Sequence, residues 1–293
     1  MRTKLLLFMT AALVTCAACA QTPIDETRPA DANGVVEVSN TKGAVTVIGA
    51  DANEVKITGT LGKGTERLDI EASGPRTSVI VVIPKDSKEV ESTDLELSVP
   101  KGSAVEIECV AGTIQVSGVT GRLSLDTVNG SITVADAAGE AYLKSVNGAI
   151  SLAGAPTEVE ANTVNGSIDI KGASSRVDAM TISGKIAVEG EGLKRLSAKT
   201  VRGAFAFAGS FAEDASVDIT TQQGGIELKL PESTSAGFDL STFTGAIVNR
   251  LSDDPSTDSG KIGAGRSAKF STGTGSASVR ARTFNGAITI DKK

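Results

Sequence analysis

The side chains of this sequence that could bind a metal or catalyse a reaction are mainly carboxylates, because the chain has no histidine. Asp253, Asp254 and Asp258 stand close together near the C-terminus and offer the oxygen ligands that calcium prefers. Such clusters are more often solvated loops, and Gly225 is not followed by the Gly-x-Asp of the nonapeptide calcium repeat. Nucleophile-elbow, P-loop and zinc-ligand spacings are absent from the sequence. We therefore expect no metal site and no cofactor.

A polysaccharide-acting β-helix enzyme is the catalytic alternative, and its usual features are weak here. Such enzymes combine aromatic platforms with convergent acids, but this chain has no tryptophan and one tyrosine, Tyr142. Beyond residue 20 its phenylalanines all follow residue 204. The charged and polar residues that alternate with the apolar ones show no convergence, as Asp126, Lys144 and Lys199 illustrate. We predict that the protein is not an enzyme.

One phrase recurs through the middle of the chain and predicts its architecture. DTVNGSITV at 126–134 returns as KSVNGAISL at 144–152, NTVNGSIDI at 162–170 and MTISGKIAV at 180–188, so that the glycines lie 18 residues apart. A fixed period indicates a repeat fold. Asn-Gly pairs tolerate positive φ and are typical of turns. The residues predicted at the repeat turns are Gly112, Asn129, Gly130, Asn147, Gly148, Asn165, Gly166, Gly184, Gly203, Gly224, Gly245, Asn285 and Gly286.

Apolar residues alternate with polar ones on both sides of each glycine, which predicts two short strands per repeat. Ile132, Ile150 and Ile168, two residues after successive glycines, exemplify the columns expected to point inward. A hydroxyl stands three residues before most of the glycines, as Thr163 does, and Cys109 heads that column. Alternation turns this column inward too, so its hydroxyls must find hydrogen-bond partners.

Two all-β folds fit this pattern. Asn-Gly between alternating strands favours an antiparallel meander of hairpins, but there Val128, Val146, Val164 and Ile182 would point outward. Near-identical units of about 18 residues favour a single-domain parallel β-solenoid, with like residues stacked in successive rungs. At a solenoid corner the valine column could turn inward. We predict the solenoid, right-handed because parallel crossovers nearly always are, with the meander as the alternative.

The predicted organisation has three parts. Residues 1–20 resemble a secretory signal peptide, with Arg2 and Lys4, an apolar run and an Ala-x-Ala end at Ala18 and Ala20. Residues 21–33 are polar and predict a tether, and 34–293 predict the solenoid. Within it, 34–104 are irregular N-terminal rungs and 105–293 the regular repeats. Lipid attachment at Cys19 is the alternative to simple cleavage.

The spacing loosens towards the C-terminus, where 41 residues separate Gly245 from Gly286. We expect a polar loop over 252–265 and one degenerate rung near 269–278. Lys292 and Lys293 are predicted to protect the last sheet edge, since charged edge residues discourage further strand pairing.

The net charge, the cysteine content and the apolar run limit the possible partners, disulfides and membrane segments. Without Arg2 and Lys4, 27 basic and 35 acidic residues remain, a net charge of −8 (27 − 35). An acidic chain disfavours nucleic acid. Cleavage after Ala20 would leave Cys109 as the sole cysteine and exclude an internal disulfide. The apolar run from Leu5 to Val14 is too short to span a bilayer, so no transmembrane segment is expected in the mature chain.

The chain resembles the bacterial putative adhesin family, which is built on a β-strand-repeat domain of unknown function. The resemblance is carried by TPIDETRP, NTKGAVTVIGADANEVKITGTL, LSVPKGSAVEIECVAGTIQV and the VNG-S/A-I repeats, and it extends over 34–293. It implies an exported β-solenoid of the cell envelope, in the periplasm or at the cell surface. The expected partner is an envelope protein or a glycan. An envelope-stress-associated structural protein is the further alternative.

We predict processing after Ala20, because the apolar run ends in small residues that fit signal peptidase. N-terminal sequencing of the exported protein should begin at Gln21. A product that begins at a lipid-modified Cys19 would contradict this prediction and show an anchored form.

Overall fold

The computed structural model describes residues 22–84, 89–252 and 265–293. In these ranges the chain forms 24 strands and no helix, and most of the strands pair in parallel. None of the described residues therefore provides a helix that could cross a membrane. The predicted signal peptide lies outside the described residues.

Two stacks of parallel strands form the regular part of the molecule, and each rung contributes one strand to each stack. The strands before the glycine corner are β8 (Ala104–Ala111), β10 (Leu123–Asn129), β12 (Glu140–Asn147), β14 (Glu158–Asn165) and β16 (Arg176–Ser183). Those after it are β9 (Ile114–Ser117), β11 (Ile132–Ala137), β13 (Ile150–Gly154) and β15 (Ile168–Ala173). The longer β17 (Ile186–Arg202) and β18 (Phe205–Gln223) continue from the second half of one rung into the next.

The strand register confirms the parallel arrangement. Leu123 lies opposite Ala141, and Ala141 opposite Val159, each partner 18 residues on. Further along, Val177 lies opposite Leu196, 19 residues on, and Leu196 opposite Val217, 21 residues on. The antiparallel meander is excluded because β10 pairs with β8 and β12. The right-handed sense of the coil stays a prediction.

The core is one continuous file of apolar side chains between the two stacks. The predicted inward columns are confirmed: Ile132, Ile150 and Ile168 are at most 1% exposed. Phe205 and Phe207 are also fully buried, in the rung that follows the regular 18-residue repeats. Because inward positions alternate with outward ones along every strand, half of the strand residues remain available at the surface.

The N-terminal end of the stack does not follow chain order. Its strands are β1 (Thr22–Pro29), β2 (Val35–Lys42), β3 (Val45–Ala50), β4 (Glu54–Leu61), β5 (Arg67–Ser73), β6 (Arg76–Val82) and β7 (Asp94–Pro100). The strand β2 lies between β6 and β8 and pairs in parallel with both. At the outer boundary, β5 pairs antiparallel with β6, and β1 antiparallel with β4.

The prediction of a tether over 21–33 is wrong for Thr22–Pro29, which forms strand β1. The sequence suggested a tether because Ile24 is the one side chain of β1 that reaches the core. The alternation of apolar and polar residues that marks the other strands is therefore missing. A strand at the end of a stack gains its backbone hydrogen bonds from one neighbour and needs little apolar surface. Its sequence therefore looks like a polar linker.

The C-terminal end is also out of chain order. Its strands are β19 (Ile226–Leu230), β20 (Ala236–Thr244), β21 (Ile247–Asn249), β22 (Arg266–Thr272), β23 (Ala277–Asn285) and β24 (Ile288–Lys292). The rung of β23 and β24 is inserted between β18–β19 on one side and β20–β21 on the other. The chain thus completes its last rung by returning into the stack.

Two expectations for this end are wrong because the chain does not add its last strands to the stack in chain order. The strand β22 is an antiparallel edge strand on β20 and not a degenerate rung. Lys292 and Lys293 do not protect an outer edge, since β24 is paired on both sides. Instead the ammonium groups of Lys292 and Lys293 bind Glu232 and Glu191, respectively.

The inward and outward columns can be separated by two adjacent substitutions. Ile150→Asp should be strongly destabilising, because it removes burial worth ~1.5–3 kcal/mol and adds an unpaired buried charge. Ser151→Asp, at an exposed position, should leave the melting temperature almost unchanged. Similar melting curves for the two variants would contradict the inward assignment of the Ile150 column.

Candidate functional site: an outward apolar ridge

The glycine column marks the corner between the two stacks. A Cβ on Gly130 would lie 1.8 Å from the carbonyl oxygen of Gly112, and one on Gly148 would lie 1.8 Å from that of Gly130. The same carbonyl contact, at 2.1 Å or less, recurs at Gly166, Gly184, Gly203, Gly224, Gly245 and Gly286. Successive corners therefore approach so closely that no side chain fits.

This close approach corrects the predicted reason for the glycines. The sequence suggested positive φ, but among the predicted turn residues only Gly224 has it, at 156°. Asn129, Asn147, Asn165 and Asn285 also have ordinary backbone conformations. Glycine is required at these corners for the space between rungs and not for left-handed backbone.

The hydroxyl column, predicted to point inward, is buried and bonds to the same carbonyls. Thr163 Oγ1 donates to the carbonyl oxygen of Gly148 at 3.0 Å, and Thr181 Oγ1 donates to that of Gly166 at 3.0 Å. Cys109 occupies the equivalent place, with its Sγ 3.8 Å from the carbonyl oxygen of Gly43. Burial raises the pKa of the Cys109 thiol, so the thiol stays neutral. The column is structural.

The asparagine column forms a ladder of side-chain amides on the outside of the corner. Asn147 Nδ2 donates to Asn129 Oδ1 at 2.9 Å, and Asn165 Nδ2 donates to Asn147 Oδ1 at 2.9 Å. At the other end, Thr244 Oγ1 donates to Asn285 Oδ1 at 3.0 Å. Since the amides bond to one another along the stack, they stabilise the corner.

The column two residues before the glycine faces solvent and does not take the inward turn that a solenoid corner could allow. Val128 is 42% exposed and Ile182 is 44% exposed. The reason lies in β10 and its equivalents, which stay extended through the asparagine and turn only afterwards. Alternation therefore keeps this position opposite to the buried hydroxyl. We call this column the apolar ridge; in stacking order its members are Val110, Val128, Val146, Val164, Ile182 and Val201.

Two phenylalanines extend the same column after Gln222. Phe284 and Phe243 lie on neighbouring rungs, with ring centroids 4.8 Å apart and ring planes 7° from parallel. Their exposed fractions are 59% and 51%. The sequence analysis missed this pair, although both residues stand two before a repeat glycine, where valine stands elsewhere.

A column of charged residues runs beside the ridge, two residues earlier in each strand. Glu108 and Asp126 are acidic at one end, whereas Lys144, Lys199 and Arg282 are basic further along. None of these five forms an ion pair within the described parts of the chain. Between the ridge and this column lies a shallow groove of about 580 Å³, whose apolar lining includes Met180.

A second cavity lies at the N-terminal end, between the edge strands β1 and β5, with a volume of about 1040 Å³. Its lining is rich in charge, and both of its arginines are paired with carboxylates close to them in sequence. Arg28 binds Glu26 at 2.8 Å, and Arg67 binds Glu66 at 2.6 Å and Asp69 at 2.8 Å. A ligand would have to displace these pairs, so the ridge is the better candidate for recognition.

Metal ligation finds no support in the ranges that the structure covers. No group of three or more His, Cys, Asp or Glu side chains that could hold a metal ion occurs there. The acidic cluster of Asp253, Asp254 and Asp258 lies outside the described residues.

The stacked rungs and the outward ridge define a β-solenoid of repeat type with an extended outward surface. Its family is also clear: the chain belongs to the Toastrack DUF4097 family, whose model matches residues 25–291. No curated protein matches the chain.

Solved structures of low sequence identity are similar over almost the whole chain. A putative adhesin from Bacteroides fragilis is 10% identical, with 92% of this chain and 98% of that chain covered and a TM-score of 0.48. A putative adhesin from Parabacteroides merdae is 8% identical, with 92% and 96% covered and a TM-score of 0.42. A putative lipid binding protein from Parabacteroides distasonis is 12% identical, with the same coverage and a TM-score of 0.34. At these values the likeness carries no argument about what this chain binds.

The corner geometry can be tested with a matched pair of glycines. Gly148→Ala should destabilise the fold by ~1–3 kcal/mol or more, because the added methyl meets a backbone carbonyl that cannot move aside. Gly237→Ala is the control, since its nearest non-neighbouring atom would be 3.8 Å away and its φ is ordinary. Chemical denaturation should separate the two variants; equal stabilities would show that the corners tolerate a side chain.

Proposed function

We propose that this protein is an exported, non-enzymatic protein of the cell envelope, of the adhesin type. It binds another envelope protein or a glycan through the outward face of the solenoid. The observation that carries the proposal is the exposed column of the ridge and of the phenylalanine pair beyond it. Contiguous exposed apolar surface is characteristic of interaction sites, whereas isolated exposed apolar residues are not.

The architecture supports extended contact. The core columns and the bonded corners hold successive rungs at a fixed spacing of ~4.8 Å, so the outward side chains form a rigid array. Outward positions take no part in the core, and Lys144, Asn162 and Met180 occupy equivalent places in neighbouring rungs. A face of this kind can vary in sequence while the fold is kept.

Two carboxyl groups have lowered pKa values, and ion pairs at the surface account for both. Hydrogen bonds from Lys293 and Ser210 lower the pKa of Glu191, and a hydrogen bond from Lys292 lowers that of Glu232. A general acid needs the opposite shift. Both groups lie in exposed ion pairs, which is a common structural cause of a lowered pKa.

The aromatic pair is the candidate contact point within this face. Phe243 and Phe284 expose more than half of their surface, and aromatic side chains contribute strongly to interfaces when a partner covers them. Arg282 lies on the same strand as Phe284 and faces the same side, two residues away. A partner with apolar and anionic or hydroxyl groups would match this combination.

The proposal is tested by presenting the purified protein to cell-wall glycans, envelope polysaccharides and immobilised envelope proteins. Both retention and the release of reducing ends are scored. We expect retention without release. The Phe243→Ala/Phe284→Ala variant should be retained about tenfold more weakly, since each ring removed from a buried contact costs on the order of 1 kcal/mol. Ser151→Ala, on the other outward face, is the control.

The remaining outcomes separate the alternatives. Release of reducing ends that is lost in Asp126→Asn would favour a glycan-cleaving β-helix enzyme. Retention that is unchanged in the double phenylalanine variant would exclude the aromatic pair as the contact point. The absence of retention on every surface would favour an envelope-stress-associated structural protein.

A further inference from the structure

We propose that the apolar ridge is a self-association surface, on which a second copy of this chain packs face to face and antiparallel. The inference uses the same outward face as the proposed function, but it concerns a contact between copies, and its test measures the oligomeric state and not the retention of a ligand. It rests on three features of the described residues: the spacing of the ridge residues, the order of acids and bases along the charged column, and the lack of ion pairs in that column.

The spacing of the ridge favours a partner with the same repeat. Val110 to Val201 occupy six successive rungs, and each ridge residue is separated from the next by one rung of ~4.8 Å. A partner with a different period would match one or two of these residues and miss the others. A second copy matches all six at once.

The charged column decides the direction. Its acids, Glu108 and Asp126, lie at the N-terminal end of the ridge, and its bases lie further along. In a parallel pair the two-fold axis would run along the columns and place the two charged columns on opposite sides of the paired ridges, so that neither column would meet the other. The alternative is a two-fold axis that lies in the plane of the contact and runs perpendicular to the columns. This axis places ridge opposite ridge and charged column opposite charged column, and it reverses the order of the rungs. Such an isologous contact is the commonest kind among homodimers.

One register uses the whole ridge. With the axis between the rungs of Val146 and Val164, these two residues face each other across the dimer, and Val110 faces Val201. In the neighbouring column Glu108 then lies opposite Lys199, an acid against a base. The other pairs in that column are Asp126 with Met180 and Lys144 with Asn162, so no like charges meet.

The size of the surface predicts a weak dimer. Six rungs span ~25 Å. The area of a narrow strip of this length is smaller than the ~800 Å² that each partner buries in a standard stable interface. In this register the strands of Phe284 and Phe243, β23 and β20, lie opposite β6 and β5 of the second copy, at the two ends of the contact. Self-association and binding through the aromatic pair therefore compete for the same face.

Sedimentation velocity tests the proposal on the exported, processed form of the protein over a wide range of concentration. We expect a monomer–dimer equilibrium. The Val128→Thr/Val146→Thr/Ile182→Thr variant keeps β-branched residues at exposed positions and should fold, as its melting curve will show. It should raise the dimer Kd at least tenfold. Ile48→Thr removes an equally exposed apolar side chain away from the ridge and should leave the Kd unchanged.

Charge reversal tests the direction. Glu108→Lys and Lys199→Glu should each weaken the dimer several-fold, and the double variant should recover most of the loss, because the pair is restored with its signs exchanged. A monomer at every concentration, or a dimer that the ridge substitutions leave intact, would overturn the proposal. Sensitivity to the ridge without recovery in the double variant would overturn the antiparallel register.

Discussion

The whole structure depends on the contact between the carbonyl oxygen of one corner glycine and the next rung. That oxygen lies where a Cβ of the following glycine would be, and it accepts a hydrogen bond from the hydroxyl of the threonine that stands three residues before that following glycine. The contact explains two columns together: glycine because nothing larger fits, and threonine or serine because a buried carbonyl needs a donor. A change at either column affects both rungs that it joins.

The corner also determines what the surface can do. Because each first strand stays extended up to the asparagine, the residue before it points to solvent, whatever its chemistry. Val128 and Val146 thus lie exposed next to a fully ordered core. The polar Gln222 in the same column shows that the fold does not require an apolar residue at this place. The ridge is therefore a feature of the surface and not of the core.

At both ends of the stack, strands that are out of chain order cover the exposed sheet edges. At the N-terminal end antiparallel strands β1 and β5 flank the last rungs, and at the C-terminal end β22 does so. Antiparallel strands with charged side chains are poor templates for another parallel rung, which limits end-to-end growth. Lateral contact along the ridge remains available, so the ends and the face have different roles in association.

The sequence by itself determined the repeat, the all-β class and the inward columns, and it favoured parallel stacking over a meander, because each depends on local alternation and a fixed period that a single chain displays. Ile150 and Thr163 could be assigned to the interior in this way. The tertiary structure alone decided the direction of Val128, the reason for the corner glycines and the insertion of β23 and β24 between earlier rungs. These features depend on where a turn begins, on atoms from the neighbouring rung and on pairing between distant segments. None of them leaves a periodic signal in the chain.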